Sequence, residues 1–99
     1  MCGIVGYIGR NDIGSVILTG LERLEYRGYG SCGIATIKNG EVKFKKTQGR
    51  LQRLKELLKD NPLKGTIGIG HTRWATHGVP NETNAHPQFD CAGKFAVVH

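Results

Sequence analysis

The dipeptide Asn39-Gly40 is the feature that most constrains the fold of this chain. It lies between two segments with strand-like composition, CGIATIK at 32–38 and EVKFKKT at 41–47. Asparagine and glycine tolerate the positive φ angles of a two-residue turn, so the sequence predicts a β-hairpin. The fold therefore contains at least one pair of antiparallel strands.

Two amphipathic segments flank the hairpin. After Asp12, apolar residues recur at three- and four-residue steps, which predicts a helix over 13–26 that is capped by Asp12 and closed by Gly28. Leucines recur in the same way over 50–60. This second helix ends before Pro62, because the residue that precedes a proline avoids helical angles.

Three further apolar segments are predicted strands, and one long segment is predicted to be a loop. The strands are CGIVGYI at 2–8, TIGIGHT at 66–72 and the terminal KFAVVH at 94–99. The span 74–92 is aperiodic and rich in glycine, proline and asparagine, and long loops of this kind are often functional. The order of elements predicts an α+β fold with helices stacked on a sheet.

The length and the cysteines limit the class of protein. Ninety-nine residues suit one small domain, and we expect a fragment because the chain stops directly after an apolar strand. Three cysteines without C-x-x-C spacing argue against a disulfide framework or a thiolate metal cluster. Neither a signal segment nor a membrane-spanning run is recognisable, so we expect a cytoplasmic protein without membrane contact.

The positive charge is concentrated in one part of the chain. Fourteen Lys and Arg stand against eight Asp and Glu, and nine of the fourteen fall within residues 38–64. Because these cations alternate with apolar residues at strand and helix spacing, they indicate solvated faces. Nucleic-acid binding through this patch is the disfavoured alternative.

Cys2 is a candidate nucleophile. If Met1 is removed, the thiol and a free α-amino group belong to the same residue. The amine has an ordinary pKa of about 7.7–8.0, so it can accept the thiol proton near neutral pH. The alternative is a small buried cysteine behind a retained Met1, and position alone does not decide between the two.

The segment HTRWATHG at 71–78 is a candidate binding site just past a predicted strand. Arg73 can hold a carboxylate through two parallel N–H bonds, while Trp74 can cover a ligand and exclude water. The alternative is surface packing of Trp74 on the stem of Arg73. No metal or cofactor is predicted, because the histidines are irregularly spaced and have no pattern of acidic partners: His71, His77, His86 and His99.

Five motifs in order resemble the glutamine–fructose-6-phosphate aminotransferases, a family of N-terminal-nucleophile amidotransferases. The resemblance covers the whole chain. The motifs are MCGIVGYIG at 1–9, LEYRGYGSCGIA at 24–35, GHTRWATHG at 70–78, NAHPQ at 84–88 and the terminal VVH.

The resemblance implies a fold and a reaction. The fold is a four-layer α/β/β/α sandwich of N-terminal-nucleophile hydrolase type, incomplete here because residues 1–99 would be only the N-terminal part of a glutaminase domain. The reaction is hydrolysis of glutamine through a Cys2 thioester. In the full-length homodimeric enzyme, sugar isomerase domains that this chain lacks would use the ammonia to convert fructose 6-phosphate into glucosamine 6-phosphate.

The resemblance also assigns roles to residues, carried over motif by motif. Cys2 would be the nucleophile and Arg73 would pair with the α-carboxylate of glutamine. In the family, an Asn-Gly pair that follows the VVH strand supplies the oxyanion hole, so the alternative is a truncated glutamine-binding remnant without turnover. The remaining assignments are Trp74, Thr76 and His77 as lining of the glutamine pocket, and Arg27, Gly28 and His86 as supporting residues.

Two positions depart from the family's usual YRGYDSAG. Gly30 stands where an aspartate is expected, which removes a hydrogen-bonding carboxylate and adds backbone freedom near Cys2. Cys32 stands where an alanine is expected, and we expect it to be a packing residue.

Overall fold

A computed structural model describes residues 2–10, 12–24, 30–73 and 83–99 of the chain. Six strands and two helices are formed within these ranges. In chain order they are β1 (Gly3–Ile8), α1 (Ile13–Leu24), β2 (Ser31–Lys38), β3 (Glu41–Gln48), α2 (Leu51–Asp60), β4 (Ile67–Arg73), β5 (Gln88–Phe89) and β6 (Ala96–Val97).

Four of the strands form an antiparallel sheet in the order β1-β4-β2-β3. Strand β4 lies between β1 and β2, so Thr72 is paired with Gly3 on one side and with Cys32 on the other. Because all neighbours are antiparallel, the start of β1, the end of β4 and the start of β2 lie at the same end of the sheet. The fold is thus a mixed α and β structure built on an antiparallel sheet.

Helix α1 packs against the middle of this sheet. Its apolar stripe, Ile13, Ile17 and Leu21, is fully buried. The helix can approach closely because β4 carries Gly68 and Gly70 beneath it, where any side chain would overlap the stripe. The alternation of β4 therefore directs residues 67, 69, 71 and 73 to the opposite face.

Helix α2 covers the other half of the same face. Leu51, Leu54 and Leu58 are buried and join the core formed by α1 and β2. An ion pair between Glu22 and Lys55 connects the two helices at the surface. Both helices consequently lie on one side of the sheet and leave its other side to the last part of the chain.

Residues 83–99 cross that second side. Strands β5 and β6 pair with each other, and Phe89 contacts Phe44 of the main sheet with ring centroids 4.2 Å apart. The turn between β5 and β6 is held by the carboxylate of Asp90, which accepts hydrogen bonds from the backbone N–H groups of Lys94 and Phe95 at 2.8 and 2.9 Å. The small second sheet thus packs over the main sheet near β3.

Much of the second side still faces solvent. Ile8 is 79% exposed and Phe95 is 71% exposed, and several other apolar side chains of this side are also exposed. The others are Ile4, Ile37, Phe44, Ile67 and Val97. Across the described ranges, no helix combines the length and the apolar character that a bilayer span requires.

The structure confirms the predicted hairpin. Asn39 has φ 53° and Gly40 has φ 77°, as a two-residue turn with two positive φ angles requires. The predicted helix 13–26 is described as far as Leu24, and Gly28 lies outside the described residues.

For the last part of the chain, one prediction was wrong and one was confirmed only in part. The predicted loop 74–92 contains the strand β5, which was missed because two residues are too few to show an alternating pattern. The predicted strand 94–99 is reduced to Ala96–Val97, because the Asp90 carboxylate draws the N–H groups of residues 94 and 95 into a turn.

Lys46 also departs from the prediction that the basic patch is solvated throughout. Its ammonium group donates hydrogen bonds to the carbonyl oxygens of Ala85 at 3.0 Å and Pro87 at 3.2 Å. The ammonium group also lies 5.4 Å from the centre of the Phe89 ring. Lys46 points to the second side of the sheet, where it holds residues 85–87, whereas Lys43 is exposed as predicted.

Candidate functional site

Cys2 and Arg73 meet at one end of the main sheet. Strand β1 begins at Gly3, which is paired with Thr72, so continuing the register by one residue brings Cys2 opposite Arg73. On the other side of β4, Arg73 is paired with Ser31. Two residues that are 71 positions apart in the sequence thus lie at the same end of the sheet, because β1 and β4 are adjacent antiparallel strands.

The three cysteines differ in their exposure. Cys2 is half-buried, Cys32 is buried and Cys91 is exposed, and none of the three forms a disulfide. Cys32 belongs to the apolar core, which agrees with its prediction as a packing residue. Cys2 therefore combines partial shielding with access, which a reacting thiol needs, and Cys91 is the thiol most open to nonspecific reagents.

Arg73 is half-buried at the end of β4, on the side of the sheet away from the helices. Its positive charge is close enough to His71 and His86 to contribute to the lowered pKa of both imidazoles. A guanidinium in this position can receive a carboxylate through two parallel hydrogen bonds. The geometry suits a small anionic ligand that approaches the end of the sheet next to Cys2.

His71 and His86 form a stacked pair beside Arg73. The ring centroids are 4.5 Å apart with an angle of 23° between the planes. Nε2 of His71 lies 2.8 Å from the carbonyl oxygen of His99. Because a carbonyl can only accept, this hydrogen bond assigns the proton to Nε2 and leaves Nδ1 as an acceptor.

Both histidines are held in the neutral form. The pKa of His71 is lowered to about 4, chiefly by burial and also by the neighbouring charges of His86 and Arg73, against an opposing effect of the hydrogen bond to His99. Burial also lowers the pKa of His86, with contributions from the charges of Arg73 and Lys46. At neutral pH, Arg73 and Lys46 are thus the cations of this cluster.

Four buried polar atoms at this end of the sheet have no hydrogen-bond partner in the described part of the chain. One of them, Oγ1 of Thr72, faces helix α1, and the other three are Oγ of Ser31, Nδ1 of His71 and Nδ1 of His86. Buried polar atoms are nearly always paired in folded proteins, so a cluster without partners is one of the features that make this end of the sheet a candidate site. The last three atoms belong to residues on the side of the sheet to which Arg73 points.

The segment that carries His86 lies directly on the sheet. The carbonyl oxygen of His86 sits so close to Gly33 of β2 that a Cβ at this position would overlap it. Lys46, on the neighbouring strand β3, binds the carbonyl groups on either side of His86. Gly33 and Lys46 together fix His86 above His71.

The predicted site residues divide into two groups. Arg73 and His86 lie close to each other, and the register of β1 and β4 puts Cys2 at the same end of the sheet. The others lie outside the described residues: Arg27, Gly28, Trp74, Thr76 and His77.

Sequence reasoning missed three residues of this cluster. His71 belonged to the candidate segment 71–78 but was assigned no role, and Lys46 and Ser31 were not proposed because the strand patterns around them indicate only packing or solvation. A signal for His71 was available, since it continues the alternation of Ile67 and Ile69 on the same face of β4 with a polar ring.

Within the ranges that the structure describes, no three His, Cys, Asp or Glu side chains converge on one point. A cavity of about 370 Å³ lies between α1 and α2, on the other side of the sheet from Arg73. The described residues that line it include no cysteine or histidine. The end of the sheet at Cys2 and Arg73 is therefore the stronger candidate site.

Curated relatives match the chain along its whole length. A protein from Pyrococcus horikoshii named glutamine–fructose-6-phosphate aminotransferase (isomerizing) is 59% identical over 99 residues, which are 100% of this chain and 17% of the relative. Proteins of the same name from Caldanaerobacter subterraneus and Cyanidium caldarium are 58% and 54% identical, over 100% and 99% of this chain and 16% of each relative. The chain thus spans about one sixth of their length. No protein-family model matches it.

Proposed function

Because this chain is related to the glutamine–fructose-6-phosphate aminotransferases along all of its 99 residues, we propose that it is the N-terminal part of a glutaminase domain whose nucleophile is Cys2. The observation that supports the proposal is the register of β1 and β4, in which Gly3 pairs with Thr72, so that Cys2 and Arg73 are the next residues at the same end of the sheet. A nucleophile beside a group that binds carboxylates is what hydrolysis of an amino-acid side-chain amide requires.

The first chemical step is attack of the Cys2 sulfur on the side-chain amide carbon of glutamine. After removal of Met1, the α-amino group of Cys2 takes the thiol proton and delivers it to the leaving nitrogen. A carbon–sulfur bond forms and the carbon–nitrogen bond breaks. The products of this step are ammonia and a γ-glutamyl thioester.

The second step is hydrolysis of the thioester. The α-amino group removes a proton from a water molecule, and the resulting hydroxide attacks the thioester carbon. The carbon–sulfur bond breaks, glutamate leaves and the thiol is restored. Overall, glutamine and water give glutamate and ammonia, without a cofactor.

Arg73 orients the substrate in this scheme. Its guanidinium binds the α-carboxylate of glutamine and so directs the side-chain amide toward Cys2. The neutral state of His71 and His86 supports this role, because it leaves Arg73 as the cation at the start of β1. The cluster of unpartnered polar atoms around Arg73 lends further support.

The remaining assigned residues complete the pocket. Trp74, Thr76 and His77 follow Arg73 directly in the sequence and would line the glutamine site. Arg27 and Gly28 would stand next to Cys2. For His86, support comes from its ring, which stacks on His71 beside Arg73.

We extend the proposal to the architecture. The exposed apolar side chains on the second side of the main sheet suit a second sheet packed against it, as in an α/β/β/α sandwich. The pair β5–β6 already occupies part of this side. In this proposal, β5 and β6 are the first strands of the second sheet.

In the longer, homodimeric cytoplasmic protein that we propose, the ammonia serves a second reaction. It is transferred to fructose 6-phosphate, the acceptor in the name of the relatives, and the proposed product is glucosamine 6-phosphate. This step belongs to a part of the protein other than residues 1–99.

The test is release of ammonia from glutamine by the natural protein that contains this chain. Replacing Cys2 with alanine is expected to abolish release, because no other group can form the thioester. Cys91→Ala is the matched control, since Cys91 is an exposed thiol outside the site, and release is expected to remain. Ammonia release by the Cys2→Ala variant at the unmodified rate would exclude Cys2 as the nucleophile.

A further inference from the structure

His71 occupies a position on β4 where packing alone does not require a polar ring. It is fully buried and paired with Ile4 of β1 and Gly33 of β2. The two preceding residues on the same face of the strand are Ile67 and Ile69. An aliphatic residue would continue this pattern without burying ring nitrogens.

The ring connects three parts of the chain. It belongs to the main sheet, its face stacks on His86, and Nε2 donates a hydrogen bond to the carbonyl oxygen of His99. The segments 83–87 and 96–99 are thereby tied to the same strand. Nδ1 of His71 has no partner in the described residues, which is unfavourable for stability taken alone.

The position of the Arg73 side chain is set by the same strand, β4. It lies two residues beyond His71, so both side chains leave β4 on the same face. Arg73 is the last residue of the strand and is paired with Ser31 of β2, whereas the pairing with β1 ends one residue earlier, at Thr72 and Gly3. The His71 ring is therefore the nearest residue on this face of β4 that ties the strand to the overlying segments.

We propose that His71 is a positioning residue for glutamine binding: its hydrogen bond to His99 holds the end of β4 against the overlying segment 96–99, so that Arg73 is oriented toward the substrate carboxylate beside Cys2. This inference rests on the proposed function. His71 touches neither substrate nor Cys2 in this account, and it acts through Arg73. Its loss weakens substrate binding more than it slows the chemical step.

The test uses two substitutions that separate the functions of the ring. His71→Phe keeps a ring that can stack on His86 but cannot donate to His99. His71→Gln loses the ring but carries an amide N–H near the position of Nε2. The reagent is a diazo-ketone analogue of glutamine that alkylates the nucleophilic thiol. The rate of labelling of Cys2 is measured as a function of analogue concentration in the natural protein.

The expected result for His71→Phe is a half-saturating analogue concentration raised about tenfold, since small misplacements of a binding group have effects of this order or more. The limiting rate of labelling is expected to stay within about twofold, because the thiol and its α-amino base are unchanged. His71→Gln is expected to restore half-saturation to within about threefold of the unmodified protein, because a donor to His99 is present again.

Thr36→Val is the matched control. It removes a buried side chain's hydrogen bond to a backbone carbonyl, that of Lys64 at 3.1 Å, at the opposite end of the neighbouring strand. If Thr36→Val raises half-saturation as much as His71→Phe, the effect of His71 is only structural and the proposal is wrong. An unchanged half-saturation in His71→Phe, or no restoration in His71→Gln, would also overturn it.

These outcomes are distinct from failure of the proposed function. If the unmodified protein is not labelled at Cys2, the proposed function fails. If Cys2 is labelled equally well in the unmodified protein and in His71→Phe, the proposed function stands and only the role of His71 is wrong.

Discussion

The carbonyl oxygen of His86 rests directly on Gly33, at a distance that no side chain on residue 33 would allow. This contact decides where the segment 83–87 crosses the sheet. It also decides where the His86 ring meets His71. A glycine in the middle of a strand thus controls the geometry of the candidate site.

Gly33→Ala is expected to displace the His86 segment and to lower the free energy of unfolding by about 1–3 kcal/mol, as overpacking in a core does. The atom in the way is a backbone oxygen, which cannot move aside by rotation of a side chain. Urea denaturation of the two proteins measures the difference. Gly6→Ala is the control, because Gly6 has no heavy atom near its Cβ position, and its stability is expected to be unchanged or higher by up to about 1 kcal/mol. Equal stability of the Gly33 and Gly6 variants would contradict the account.

Lys46→Met is expected to loosen the segment 85–87 while the side-chain stem remains packed. Two hydrogen bonds from the ammonium group to carbonyl oxygens are lost, and the free energy of unfolding is expected to fall by about 1–2 kcal/mol. Amide hydrogen exchange of residues 83–89 is expected to become faster. Lys43→Met removes only an exposed ion pair with Glu41 and is expected to change stability by less than about 0.5 kcal/mol. Similar exchange rates in both variants would show that Lys46 does not hold this segment.

Stability is expected to fall as the solution becomes acidic between pH 6.5 and pH 4. The pKa of His71 is lowered to about 4 in the folded protein, and the pKa of His86 is also lowered, whereas an unfolded histidine has a pKa of about 6.5. In this window the unfolded chain binds more protons than the folded chain. The contribution of the two histidines to the free energy of unfolding is therefore fully present above about pH 6.5 and is lost as the pH falls toward 4.

Each histidine contributes a slope of up to about 1.4 kcal/mol per pH unit. Urea midpoints measured from pH 4 to pH 7.5 test this dependence. His71→Gln removes one of the titrating rings, so its slope in the same window is expected to be smaller. A slope equal to that of the unmodified protein would mean that His71 is not held neutral by burial.

Arg73→Lys is expected to raise the half-saturating glutamine concentration about tenfold or more, because an ammonium group cannot form two parallel hydrogen bonds with a carboxylate. The measurement is ammonia release against glutamine concentration. Arg53→Lys, on the exposed side of α2, is the control and is expected to leave half-saturation unchanged. If both substitutions have the same effect, Arg73 does not bind the substrate.

The sequence predicts the hairpin and the two helices because each of them is determined by residues close together in the chain. The hairpin at Asn39-Gly40 follows from the φ angles of two residues, and both helices follow from the spacing of their leucines and isoleucines. The order of the strands depends on which distant segments meet, and no local pattern contains that information. The adjacency of β1 and β4, which brings Cys2 to Arg73, therefore had to come from the structure.

The candidate site also has a part that the sequence predicts and a part that depends on contacts between distant segments. Cys2 and Arg73 were predicted from their chemistry and from the motifs around them. His71 and Lys46 were not, because a histidine and a lysine inside strands have many uses, and theirs depends on the segment 83–87 that crosses the sheet above them. Contacts between segments far apart in sequence decide these roles.

The central claim is that Cys2 is the reacting nucleophile. The most direct measurement is mass spectrometric mapping of the natural protein after reaction with the diazo-ketone analogue of glutamine. The account predicts one adduct, on the sulfur of Cys2, in a peptide that begins with Cys2 because Met1 has been removed. An adduct on Cys91 or Cys32 with Cys2 unmodified, or a peptide that retains Met1, would contradict it.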